Sequence, residues 1–188
     1  MRQLEILYAS FIITICFFIE YWAVKVNDSI VFIYSIIIIC MVLKITYMVT
    51  QSFKSIIGIV RKGTAYHIYL IYIAINAILL VSSFASDYFT LQLALPESFE
   101  GVETIKNEFE IFFKMFYLSL LLFTNLGVAD IGPRNTLSEI LVMCEGIVAF
   151  VSLIFMLSDY TTLRETFSKS KRNIKFEEEY EEKLNEDN

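Results

Sequence analysis

Charge is scarce in this chain: only 19% of its 188 residues are Asp, Glu, Lys or Arg, while 56% are hydrophobic. With a mean hydropathy of +0.60, this excludes a water-soluble domain of that size and makes lipid the solvent. Histidine occurs once, at His67, and cysteine three times, at Cys16, Cys40 and Cys144, all in or beside apolar segments and without metal-type spacing. No disulfide framework is implied, and the cysteines read as buried packing residues. Paired acids, a His-rich metal motif and an activated Ser or Cys are also missing. The chain is therefore expected to be no enzyme and to need no cofactor. An arginine ladder is absent from the first two apolar runs, and Lys44 alone cannot supply steep voltage sensing.

Long apolar runs are what the chain has in abundance. A bilayer's hydrocarbon core needs about 20 consecutive apolar residues per helix, and four runs qualify: residues 6–24, 29–50, 68–85 and 137–157. Their interruptions are few: Glu20 in the first, Lys44 in the second, Asn76 in the third, and Glu139 and Glu145 in the fourth. Arg2 precedes the first run without a small-residue cleavage site after it, so this run is expected to stay as an anchor. A fifth run, 111–126, is short and broken by Lys114, and it reads as a re-entrant segment. Non-helical backbone at membrane depth is tolerated only where it is buried in protein or lines water.

Basic residues in short loops favour the cytoplasmic side. Residues 51–66 hold Lys54, Arg61 and Lys62 and no acid, whereas residues 86–110 hold Asp87, Glu97, Glu100, Glu103, Glu108 and Glu110 against Lys106 alone. Arg164, Lys169, Lys171, Arg172 and Lys175 follow the last run. The consistent solution is a multi-pass protein of the plasma membrane, in the manner of a bacterial inner membrane, with both termini cytoplasmic and the acidic loop outside. In the cytoplasmic loop, Phe53, Ile56, Ile57 and Val60 fall at helical spacing, the pattern of a short helix lying in the interface. The end of the chain is a solvated acidic block that includes Glu177 to Glu179, Glu181 and Glu182.

Between the fifth run and the last lies Thr124-Asn125-Leu126-Gly127-Val128-Ala129-Asp130-Ile131-Gly132-Pro133. It resembles the selectivity filter of the tetrameric potassium-channel superfamily, usually Thr-Thr-Val-Gly-Tyr-Gly-Asp-x-x-Pro. Thr124, Gly127, Asp130 and Pro133 are identical, and Leu126 stands for Val. Asn125, Val128 and Ala129 depart. The resemblance, which covers roughly residues 68–160, implies an all-α membrane protein of four transmembrane helices plus a re-entrant pore helix and filter loop, assembled as a homotetramer. It divides the chain into two N-terminal helices with an interfacial linker (1–66), a pore domain (67–160) and a charged cytoplasmic tail (161–188).

On that resemblance the filter is Thr124, Asn125, Leu126, Gly127, Val128 and Ala129, with permeant K+ or Na+ held at Thr124 to Gly127. Carbonyl rings replace an ion's water shell in such filters. Ala129 resists the positive φ that glycine accepts, and Val128 removes a bracing aromatic ring, so the outer filter is expected to be wider and less rigid. Asn125 either lines a hydrated-cation constriction or hydrogen-bonds behind the filter. Asp130, Glu139, Glu108 and Glu110 are expected to make the outer mouth negative. On the inner helix, Glu145 reads as a packing partner behind the filter, and Ala149 occupies the family's hinge position. Gly146, one turn earlier, serves either as a bend or as a packing site. Ser119 matches a small polar residue of the family's pore helix.

The expected function is passive cation conduction with weak or no K+/Na+ discrimination. The alternatives are a non-conducting regulatory or partner subunit and a depolarising toxic effector pore. Beyond the bilayer and its own copies the chain has no evident partner, and nothing suggests nucleic acid; the cytoplasmic tail is where an unknown regulatory partner would act.

Overall fold

The computed structural model describes residues 2–26, 29–62, 66–126 and 130–154. It is mostly helical: α1 (Arg2–Val26), α2 (Ile30–Lys62), α3 (Tyr66–Ala94), β1 (Phe99–Glu100), α4 (Glu108–Phe123) and β2 (Gly132–Pro133), then α5 (Thr136–Ile154). Four stretches of helix are long and apolar enough to cross a membrane, Ile6–Val26, Ile30–Thr50, Ile73–Ala94 and Thr136–Ile154. The chain is thus built as a multi-pass membrane protein.

At about 1.5 Å per residue, the 33 residues of α2 extend for roughly 50 Å, beyond a hydrocarbon core of about 30 Å. The stretch with Phe53, Ile56, Ile57 and Val60 continues the second span without a break in the helix; the side chains there lie outside the described residues, as does that of His67. By the same measure the 16 residues of α4 reach only roughly 24 Å, too short to cross.

Asp87 does not lie in the acidic external loop that its sequence surroundings suggest: α3 runs on to Ala94 and Asp87 is buried inside it, 1% exposed. The third span accordingly sits nearer the C-terminus than residues 68–85. The reason is local neutralisation: a carboxylate that would end an apolar run can remain within it when a cation meets it, and Lys44 of α2 does so.

The core gathers where α3 meets its neighbours. Tyr88, Leu91, Met115, Leu118 and Leu141 are fully buried together with Ile37 and Phe99. Phe17, Phe89 and Phe112 join α1, α3 and α4 through their rings, Phe89 and Phe112 meeting edge to face at 5.6 Å between centroids. Aromatic pairs in this geometry add about 0.5–1.5 kcal/mol beyond the area they bury.

β1 and β2 pair antiparallel, Phe99 opposite Pro133 and Glu100 opposite Gly132. Gln92 closes the turn before β1: its side-chain oxygen accepts from the Phe99 N–H and its amide donates to the Pro96 carbonyl. Gly101 follows with φ of +87°, and a Cβ there would lie 2.1 Å from the Asp130 carbonyl oxygen. Only glycine permits both that backbone angle and that approach.

Candidate functional site

Residues 108–126 run inward from one end of the helix bundle, and residues 130–133 lie back at that end beside β1. Asn107 caps α4, its side chain accepting from the Phe109 N–H at 3.1 Å, and Glu108 and Glu110 complement the positive end of the helix dipole. Glu108 meets Lys25 at 3.0 Å and Tyr21 at 3.2 Å, both near the C-terminal end of α1. Eleven residues further along, Ser119 lies against the Val81 carbonyl of α3 and Glu145 of α5, well inside both spans. The chain then returns to pair β2 with β1. The Arg134 N–H donates to the Ser98 carbonyl at 2.9 Å. Asn135 caps α5 by accepting from the Ser138 N–H at 2.9 Å, while its amide donates to Ser98 Oγ at 3.0 Å. Descent, turn and return are thus fixed by caps at both helices and by a two-residue ladder.

The turn itself has a definite chemistry. The Leu126 N–H reaches the Leu121 carbonyl and the Asn125 N–H the Leu122 carbonyl, while Asn125 adopts φ of 54°. This is the Schellman closure of a helix, with Asn in the left-handed position usually taken by Gly. Thr124 Oγ1 donates back to the Leu120 carbonyl at 2.8 Å. Thr124, Asn125 and Leu126 are all exposed, Leu126 to 75%. Asn125 therefore ends the helix, a role its sequence position did not announce. Gly127, Val128 and Ala129 lie outside the described residues.

The acids expected at the mouth fall into two kinds. Glu110, Asp130 and Glu139 are exposed. Asp130 and Glu100 line a 480 Å³ cavity between α4, Val142 and the returning strand. Glu108 is instead engaged by Lys25, whose hydrogen bond holds its carboxyl below the usual glutamate value.

Behind the loop, Glu145 is fully buried. Tyr88 donates to one of its oxygens, and Ser119 Oγ lies 2.5 Å from the other. The glutamate thereby joins α5 to α3 and α4, as a packing partner at the depth of the short helix. Ala149 is also fully buried, while a Cβ at Gly146 would meet nothing within 4 Å. Gly146 is therefore not held by close packing within one chain.

A second buried polar cluster, which no local sequence pattern signals, joins α1, α2 and α3. Lys44 of α2 donates to Glu20 of α1 at 3.2 Å and to Asp87 of α3, and Thr90 donates to Glu20 at 3.1 Å. All three ionisable side chains are at most 1% exposed. The Cα–Cβ bond of a helical residue tilts toward the helix N-terminus. That tilt carries the long Lys44 side chain back along α2 toward the levels of Glu20 and Asp87. Asp87 and Tyr88 are consecutive on α3, so this helix presents one polar cluster to α1 and α2 and the other to α4 and α5. The signal available in the sequence was one charge in each of two spans, opposite in sign.

Among the described residues no group of three or more His, Cys, Asp or Glu side chains is arranged to hold a metal ion. The expected tail, 161–188, lies outside the described residues. No protein-family model, curated protein or solved structure matches the chain.

Proposed function

We propose that the chain is the pore-forming subunit of a homotetrameric cation channel, with α3 as outer helix, α4 as pore helix, residues 124–129 as filter and α5 as inner helix. The observation that carries this reading is the excursion of residues 108–133. A helix too short to span starts beside the C-terminal end of α1, passes Glu145 at Ser119 and closes at Asn125, and residues 132–133 lie back against β1. Leu126, just past the helix end, is in neither helix nor sheet, and such backbone at membrane depth needs water or protein around it. A water-filled axis shared by several copies supplies the water.

Two further features support assembly. Ile140, Met143, Ile147, Phe150 and Ile154 are exposed at alternating steps of three and four along α5, the spacing of a helix that packs against copies of itself. Phe109, Phe113 and Leu120 form an exposed apolar edge on α4, where neighbouring pore helices would meet. One chain supplies one loop, and a carbonyl-lined filter needs four around an axis. Conduction would be passive, without enzymatic chemistry, and Asn125, Val128 and Ala129 would loosen K+/Na+ discrimination. Mass measurement of the protein in lipid nanodiscs tests the assembly: four copies per particle are expected, and a monomer under all lipid conditions would overturn it.

A further inference from the structure

We infer that Glu145 is held as a neutral carboxylic acid, whose proton is the first donor in a one-way hydrogen-bond chain fastening the short helix α4 to α3 and α5. The count of protons carries the inference. A serine hydroxyl has one proton to give, yet Ser119 Oγ lies within hydrogen-bond distance of two acceptor positions, the Val81 carbonyl at 2.9 Å and Glu145 Oε1 at 2.5 Å. A carbonyl cannot donate. If Ser119 gives its proton to Val81, the contact to Glu145 is filled only when the carboxyl carries a proton and donates to Ser119 Oγ. Tyr88 donates to the other carboxyl oxygen. The order Glu145 to Ser119 to Val81, with Tyr88 entering from behind, satisfies every contact. An ionised Glu145 would leave one of the two Ser119 contacts without a proton.

The surroundings agree with the count. Glu145, Ser119 and Tyr88 are fully buried, and no ion pair to Glu145 exists among the described residues. A lone buried carboxylate is costly enough that such groups take up a proton instead. The ionisable groups nearest it are Tyr88 and Asp87 on α3, Ser119 being the α4 partner, with Cys144 adjacent on α5. Asp87 belongs to a cluster of two carboxyls and one lysine, which brings no positive excess toward Glu145. Glu145 is in this account a positioning residue, acting on the loop through Ser119, and the inference stands whether or not the loop conducts.

The test is infrared spectroscopy of the full chain in lipid at neutral pH, comparing the wild type with Glu145→Gln. The wild type is expected to show the carbonyl stretch of a protonated buried carboxyl, with one such group per chain lost in the variant. Gln can donate to Ser119 and accept from Tyr88, so this variant is expected to assemble and melt like the wild type. Glu145→Ala and Ser119→Ala are expected to melt lower. No lost carboxyl band would overturn the inference. So would a Glu145→Gln protein that fails to assemble or melts as low as Glu145→Ala, because the negative charge would then be what the site requires.

Discussion

Replacing Lys44 by Met keeps most of the length and the apolar stem of the side chain and deletes its charge. It leaves Glu20 and Asp87 facing each other in a site where all three side chains are at most 1% exposed. Breaking a buried ion pair from one side costs about 3–5 kcal/mol, and two carboxyls lose their partner at once. The upper part of that range is therefore expected, tempered by proton uptake at one carboxyl. The triple variant Glu20→Gln, Lys44→Met, Asp87→Asn removes all three charges, and since buried ion networks are often replaceable at little net cost, it should recover most of the loss. The three sites share partners, so their effects should be strongly non-additive. Reversible unfolding in mixed micelles, followed by helix signal, reads both differences. A Lys44→Met loss under about 1 kcal/mol, the size of an exposed pair, would refute the buried cluster, as would a triple variant less stable than the single one.

Other substitutions probe the loop's anchors. Gly101→Ala places a methyl 2.1 Å from the Asp130 carbonyl at φ of +87°; the backbone term alone is about 1–2 kcal/mol, so a clear fall in melting temperature is expected, and an unchanged one would contradict the crossing of β1 and β2. Asn135→Ala removes the cap of α5 and its link to Ser98 and should cost about 1 kcal/mol, with Asn135→Asp retaining the cap; equal loss in both would contradict the capping role. Lys25 holds the Glu108 carboxyl low, so the stabilising contact is present above the ordinary glutamate value and is lost as pH falls through the lowered one. NMR titration of Glu108 should show its midpoint rise in Lys25→Met, and an unmoved midpoint would remove the α1–α4 contact.

Three of the four spans were legible within a few residues, because uninterrupted apolar runs of membrane length leave little choice of structure. The third was misplaced at its C-terminal end, where Ser86 and Asp87 look like the start of a loop. The stabilising partner of Asp87, Lys44, is 43 residues away in the chain, and periodicity in a local window carries no information about such a pairing. Glu145 was readable as a buried partner since a lone acid within a span has few other options. Its particular ties to Ser119 and Tyr88 depend on how α3, α4 and α5 stack. Asn125 shows the opposite limit: its type fits a left-handed helix end as well as it fits a filter position, and only the resemblance to the potassium-channel filter pointed to the latter. Gly101 went unremarked because its requirement arises from the Asp130 carbonyl, a contact made only when the returning strand comes back beside β1.

The central claim is that this chain conducts cations, and the reversal potential of the purified protein in a planar bilayer tests it most directly. With sodium on one side and potassium on the other the potential should lie near zero if, as proposed, Asn125, Val128 and Ala129 occupy filter positions and loosen the carbonyl rings. Across a salt gradient it should move toward the cation equilibrium potential. Strong potassium selectivity would contradict the loosened filter, whereas a chloride-dominated potential, or no current from protein shown to be assembled, would contradict the channel itself.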